Sequence, residues 1–221
     1  MTKLHNLSIC FDLDGTLIDT APDLVRVLNS VIAEDGLPET DYKSARDRVG
    51  FGARTLISEA FERADAKVTD ARLDELLDLF LALYAEDIAR LSKPFSGVLT
   101  TLRDLRGAGA RLSICTNKPG YLARPLITAM GMDAYFERVV GSRDGVPSKP
   151  SPKHIFAATG HSEKNRIIMV GDAQPDVDAA RNANVPVILM SYGYADTPPA
   201  RLRADVVIRS FRDLPEAIER L

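Results

Sequence analysis

A chain of 221 residues, 45% hydrophobic and 27% charged, suits one sizeable domain or a domain with a smaller insertion. A formal net charge of −3 gives no electrostatic case for nucleic acid or an anionic membrane as partner, and no apolar run approaches the roughly 18 residues that span a bilayer. The opening "MTKLHNLSIC" is too short in apolar length and too quickly acidic for a signal peptide, and Cys10 and Cys115 each lie in a strand-like run. Together these imply a cytoplasmic protein with buried, reduced thiols.

In chain order, the first apolar run is "LSICFD" (7–12). About eighty residues without a convincing strand follow it. The first helix there begins after Thr20 as N-cap, with Pro22 in its first turn and Leu24, Leu28, Val31 and Ile32 on one face, and it stops at Gly36. A second helix is predicted over 53–64. A third, over 70–90, places Leu73, Leu76, Leu77, Phe80, Leu83 and Tyr84 at helical spacing. From residue 97 onward, short apolar runs alternate with helical stretches. The runs are 111–117, 138–140, 166–172, 186–191 and 205–208; the helices are 97–108, 119–131, 152–160, 174–184 and 213–220. Strands apolar on both faces and separated by helices fit a parallel sheet covered on both sides. The fold class is therefore α/β, a doubly wound core formed by 1–18 and 93–221, with an inserted α-helical cap over 19–92. Hinges are expected at "LIDTAP" (17–22) and "LSKPFSG" (91–97).

Open α/β sheets bind ligands beyond the carboxyl ends of their strands, so what each run ends with matters. The first ends in Asp12-Leu-Asp14, the second in Thr116-Asn117, and the fourth in Gly171-Asp172 with Asp176 four residues on; Lys149 sits in the loop "VPSKPSP". One aspartate after a strand reads as a helix N-cap. Four strand ends carrying complementary groups read as a site. Asp12, Asp14, Asp172 and Asp176 bring up to four negative charges to one crevice, and Lys149 offsets one. An excess of hard oxygen ligands suits Mg²⁺. Asp12, ionised at neutral pH, can then attack phosphorus. Asp14, crowded by carboxylates, is expected to have a raised pKa and to donate the proton to a leaving alkoxide. Thr16, Thr116 and exposed amides can hold phosphate oxygens.

These segments ("FDLDGT", "TN", "SKP" and "GDAQPD", in this order and each after a strand) resemble the four motifs of the haloacid dehalogenase-like (HAD) superfamily. The likeness covers essentially the whole chain, with the helical insert in the position of that superfamily's cap. Within it, "DLDGTLIDTAPDL", "VGFGARTLI", "TNKP" and "SYGY" look most like the phosphoglycolate phosphatases. The resemblance implies Asp12 as nucleophile and Asp14 as acid/base, with its backbone carbonyl on the metal. It implies Asp172 as a direct Mg²⁺ ligand, Asp176 as a ligand through water, and Thr116, Asn117 and Lys149 as phosphate binders. Residue 173 departs from the pattern: it is Ala where many relatives carry a small hydroxyl residue.

A phospho-accepting receiver domain uses similar groups, but not an Asp-x-Asp on the first strand followed by a large helical insert. A haloacid dehalogenase needs no proton donor two residues past its nucleophile. A phosphomutase acting on a sugar phosphate stays open. His5, His154 and His161 show no ligand spacing. Arg46, Arg48 and Arg54 could form an ordinary charged face. Arg48 and Arg54, however, flank the glycine-containing stretch 48–57, where they could pair with a second anionic group on a small ligand. The expected substrate is a small phosphate ester, 2-phosphoglycolate, acted on by a monomer or homodimer.

Overall fold

The computed structural model describes residues 4–46, 48–160 and 166–221; His161 lies outside them. The chain divides into two compact units, one of residues 1–19 and 94–221 and one of residues 20–93. Among the described residues, no helix is long and apolar enough to cross a membrane.

The first unit is built on a six-stranded sheet. Its strands are β1 (Leu7–Phe11), β4 (Arg111–Pro119), β5 (Arg138–Ser142), β6 (Arg166–Gly171), β7 (Val187–Met190) and β8 (Val206–Ile208). Two-residue strands, β2 (Ile18–Asp19) and β3 (Lys93–Pro94), lie where the chain passes between units. Every pairing in the large sheet is parallel, in the order β5-β4-β1-β6-β7-β8. All five residues of β1 are buried, four of them apolar with Ser8 the exception, as suits a central strand covered on both faces. The connecting helices are α5 (Val98–Gly107), α6 (Gly120–Ala129), α7 (Pro152–Thr159), α8 (Gln174–Asn182) and α9 (Leu214–Glu219). On one side α7 packs on α8, and Cys10, Cys115, Ile155, Met169 and Val177 share a core. On the other side α5 packs on α9, and Phe11 meets Phe211 and Phe136 with ring centroids 5.9 and 6.3 Å apart. This is the doubly wound α/β core that the alternation of runs predicts.

The strand order fixes where a site can form. From β1 the chain adds β4 and β5 to one side, then returns to add β6, β7 and β8 to the other. The carboxyl end of β1 is thus the point where the winding reverses and the following loops part, leaving a crevice. Register brings three strands to that edge together, since Phe11 pairs with both Ile114 and Val170.

The second unit is helical, with α1 (Ala21–Ile32), α2 (Tyr42–Arg46), α3 (Ala53–Arg63) and α4 (Asp70–Glu86). Helix α1 packs against the other three; Leu28, Val31 and Ile32 of α1, Leu56, Ile57 and Phe61 of α3, and Leu73, Leu76, Phe80 and Tyr84 of α4 are all buried. Thr20 occupies the N-cap position of α1 but makes no capping hydrogen bond. Its backbone is already helical (φ −97°, ψ −11°), so its hydroxyl is not presented as a cap requires. Thr69, with extended backbone, does cap α4 by accepting from the Arg72 N–H at 3.2 Å.

Asp23 closes the base of this unit. Its fully buried carboxylate accepts from the Leu91 N–H (2.8 Å), the Ser92 N–H (2.7 Å) and the Ser92 hydroxyl (2.7 Å), and it pairs with Arg26 at 3.0 Å. Burial alone would raise its pKa. The Ser92 and Leu91 donors, with Arg26, outweigh burial and leave it lowered. The start of α1 is thereby tied to the returning chain. Asp23→Ala strands those donors in a buried place and is expected to cost about 1–3 kcal/mol. Denaturant unfolding of the variant measures this, and wild-type stability would show that the donors find other partners.

Candidate active site

Asp12 follows β1 directly, its N–H donating to the Val170 carbonyl at 2.9 Å. The chain then turns sharply through Gly15 at φ +81°. A Cβ there would lie 2.5 Å from Asp172 Oδ2 and 2.9 Å from the Tyr194 ring, so both the conformation and the space call for glycine. Asp172, just beyond β6, is held on both oxygens: the Thr16 hydroxyl donates to Oδ1 and the Tyr194 N–H to Oδ2, each at 2.7 Å. Asp176, in the first turn of α8, accepts at Oδ2 from the Asp172 and Ala173 amides, both at 3.1 Å. Ala173 has no hydroxyl to cap this helix, and the Asp176 carboxylate takes up its amide instead.

Asp12, Asp172 and Asp176 offer carboxylate oxygens that all lie within 4.8 Å of one another. The Lys149 ammonium stands among them, 2.8 Å from Asp12 Oδ1 and 2.6 Å from Asp176 Oδ1. Burial pushes the Asp12 pKa up to about 6. The Lys149 charge opposes that rise, and the Asp176 charge adds to it. Burial likewise lifts Asp172, to about 8, with Asp12 and Asp176 contributing, against the pull of the Tyr194 amide and the Thr16 hydroxyl. Lys149 is raised above its ordinary value: burial works against its charge, but the Asp12 and Asp176 charges outweigh it. One ammonium therefore does not balance three carboxylates. A compact set of hard oxygen donors left with surplus negative charge fits a divalent cation such as Mg²⁺.

Three expected placements differ in the structure. Asp14 stands outside the carboxylate cluster, so the crowding foreseen for it falls on Asp12 and Asp172. Its carboxylate is instead gripped on both oxygens by the buried Lys118 ammonium, at 3.1 and 3.2 Å. Lys118 lies in the stretch of β4 where the register shifts, between Thr116 and Pro119. Thr16 turns its hydroxyl to Asp172 rather than to the crevice. Asn117 commits its carboxamide to the main chain of Lys149, accepting from the N–H at 2.9 Å and donating to the carbonyl at 3.1 Å. Thr116 is buried beside them, its hydroxyl accepting the Lys118 N–H at 3.2 Å and keeping its own proton to donate.

Lys118 and Tyr194 were not singled out by the sequence reading. "SYGY" after β7 held a usable signal. A glycine between two tyrosines at the end of a buried strand marks a close backbone approach, and a Cβ on Gly193 would run into the Asp172 carboxylate. Tyr192 donates its hydroxyl to the Thr16 carbonyl at 2.8 Å, and its ring packs on Phe95 with centroids 4.3 Å apart. Tyr194 donates its hydroxyl to Asp19 at 2.6 Å. Cys10 and Cys115 are both buried; burial first, then Cys10, pushes the Cys115 thiol well above its ordinary value, which suits packing rather than reactivity. In the helical unit, Arg48 lies 3.4 Å from Glu59 and over the Phe51 ring, and Arg54 reaches Asp70 at 3.4 Å and Asp74 at 2.9 Å on α4.

The family of haloacid dehalogenase-like hydrolases matches residues 9–190, and the chain belongs to it. Phosphoglycolate phosphatase from Caulobacter vibrioides is 42% identical over 222 residues, spanning 98% of this chain and 94% of its own. N-Acetylmuramic acid 6-phosphate phosphatase from Pseudomonas aeruginosa is 32% identical over 225 residues, covering 100% of this chain and 98% of its own. A crystal structure described as a predicted phosphoglycolate phosphatase from Haemophilus somnus 129pt shares the fold with a TM-score of 0.86 at 30% identity, covering 96% of this chain and 97% of that one. The chain is a phosphoric monoester hydrolase resembling the phosphoglycolate phosphatases.

The raised carboxylates give stability a pH signature. Asp12 and Asp172 have folded pKa values near 6 and 8, above the ordinary 3.8, so the metal-free fold holds protons that the unfolded chain releases. Their contribution is full below about pH 4 and is lost as pH rises through 6 and 8. A bound cation removes that loss. The gain in Tm on adding Mg²⁺ to chelated protein is therefore expected to be larger at pH 8 than at pH 5.5, and to shrink in Asp172→Asn. Equal gains at both pH values would mean that the cation does not bind these carboxylates.

Proposed function

We propose that the chain is a Mg²⁺-dependent phosphatase that hydrolyses small phosphate monoesters through an aspartyl-phosphate, with 2-phosphoglycolate as its substrate. The observation that carries this reading is the Asp12 carboxylate at the end of β1 with the Lys149 ammonium 2.8 Å away. It is a nucleophile placed beside the charge that an incoming phosphate needs. Asp12 attacks phosphorus and the ester P–O bond breaks. Asp14 enters this step protonated, gives its proton to the departing alkoxide and is left as the carboxylate that Lys118 grips. Asp14, now a carboxylate, removes a proton from water, and the hydroxide attacks the phosphorus. The bond to Asp12 breaks, restoring its carboxylate and releasing inorganic phosphate. Lys118 balances Asp14 in its ionised form, and Lys149 and Thr116 face charge on the phosphoryl oxygens. Asp12, Asp172 and Asp176, with the Asp14 main chain, would hold Mg²⁺, which supplies further positive charge for the phosphoryl group.

A second reading of the substrate has support of its own. Arg48 and Arg54 already have acidic partners within their unit, which suits arginines that brace helices. A full-length relative is named for a larger sugar phosphate. The carboxylate of 2-phosphoglycolate, two carbons from its phosphate, favours the first reading if these arginines exchange partners for it.

The division of labour is tested by substitution. Asp12→Asn is expected to abolish turnover and phospho-enzyme together, and wild-type rates in it would remove the nucleophile assignment. Asp14→Asn is expected to lose about 10²–10⁴ in rate, with a slowed second step. Chelation with EDTA is expected to abolish activity, and Mg²⁺ to restore it.

The substrate is tested separately. The reading expects kcat/KM for 2-phosphoglycolate to exceed that for hexose phosphates and nucleotides. It also expects Arg48→Ala or Arg54→Ala to weaken 2-phosphoglycolate while sparing p-nitrophenyl phosphate. Equal losses on both substrates would make the arginines braces, and preference for N-acetylmuramic acid 6-phosphate would favour the second reading.

A further inference from the structure

Lys149 carries its charge at the end of a long side chain that loses about 2 kcal/mol of rotamer freedom when fixed. An ammonium on so flexible a stem is precise only if its main chain is immobile. The structure supplies an anchor. The Lys149 N–H is shared between two acceptors, Asn117 Oδ1 at 2.9 Å and His154 Nδ1 at 3.1 Å, and the Lys149 carbonyl accepts from Asn117 Nδ2 at 3.1 Å. Asn117 comes from β4 and His154 from the first turn of α7, so one peptide is pinned to two elements.

His154 is fully buried, and both its ring nitrogens are used. An amide N–H is a donor only, so Nδ1 must be the unprotonated acceptor. Nε2 lies 3.2 Å from the Val140 carbonyl of β5, an acceptor only, and must carry the proton. The ring is thus a neutral imidazole in a single tautomer, spanning β5 and the lysine loop. Asn117 is oriented by the same logic, since exchanging its oxygen and nitrogen would oppose donor to donor and acceptor to acceptor.

We propose that His154 and Asn117 are positioning residues that fix the Lys149 main chain and so place its ammonium between Asp12 and Asp176. This rests on the phosphatase reading for its kinetic consequence, but not for its structural one. Removing such an outer support costs about 10- to 100-fold where it has been measured around metal ligands, and a similar loss in kcat is expected for His154→Leu. His154→Asn keeps an acceptor near the place of Nδ1 and is expected to recover most of that loss.

The test is a double-mutant cycle on p-nitrophenyl phosphate with His154→Leu, Lys149→Met and the pair, together with a crystal structure of His154→Leu. The proposal expects the loss caused by His154→Leu to fall below about 2-fold once Lys149 is already Met. It also expects Lys149 Nζ to leave hydrogen-bonding distance of Asp12 in the crystal. The same fold-loss in both backgrounds, or an unmoved Nζ, would overturn it and leave His154 as core packing. Asn117→Ala, run through the same cycle and crystal structure, replaces His154→Leu if that variant does not fold. Inactivity of the wild-type protein on every phosphate ester would count against the phosphatase reading, while the position of Nζ would still decide this inference.

Discussion

Three carboxylates and one ammonium share a crevice at the carboxyl end of β1, and the surrounding chain is arranged to make that concentration of charge tolerable. Lys149 lies within 3 Å of Asp12 and Asp176. Backbone amides and hydroxyls take up other oxygens of Asp172 and Asp176. Burial first, and then the neighbouring carboxylates, still leave Asp12 and Asp172 with raised pKa values. The same surplus of negative charge makes this set of oxygens one that a divalent cation would fit. Close approach sets the rest. Gly15 and Gly193 have no side chain because the Asp172 carboxylate fills the space that a Cβ would need.

Much of this was legible in the sequence, for reasons that the packing makes plain. Central strands buried on both faces are mostly apolar, so runs such as "LSICF" and "RIIMVG" stand out from the amphipathic helices between them. Once those strands are known to be parallel, their carboxyl ends must share one edge. Asp12, Thr116 and Asp172 then converge without any knowledge of loop conformation. Lys149 was readable too, because its loop enters the same edge.

What escaped is what depends on aim rather than position. Asp14 lies two residues from Asp12, which by spacing puts it in the cluster, but its carboxylate meets Lys118 instead, from the stretch of β4 where the register shifts. Asn117 and Thr16 sit beside the crevice while their polar atoms serve Lys149 and Asp172. Thr20 has the residue type of a cap and the backbone of a helix. In each case local conformation decides which partner is met, and sequence spacing carries no record of it. His154 is a satisfied core histidine, one of the two roles its lack of ligand spacing suggests, but its partners cannot be read along the chain.

The division of the sheet between two stretches of chain has a consequence for how the protein is made. Strand β1 pairs with β4 from Ser8 to Arg111 and with β6 from Leu7 to Arg166, so its neighbours are translated on the order of a hundred residues later. The helical unit, residues 20–93, is contiguous and complete on the ribosome before either neighbour exists. Throughout that interval a mostly apolar five-residue strand waits with both edges unpaired, an invitation to the wrong partner. The nascent chain thus carries the strand that leads into Asp12 with both edges open until β4 and then β6 arrive.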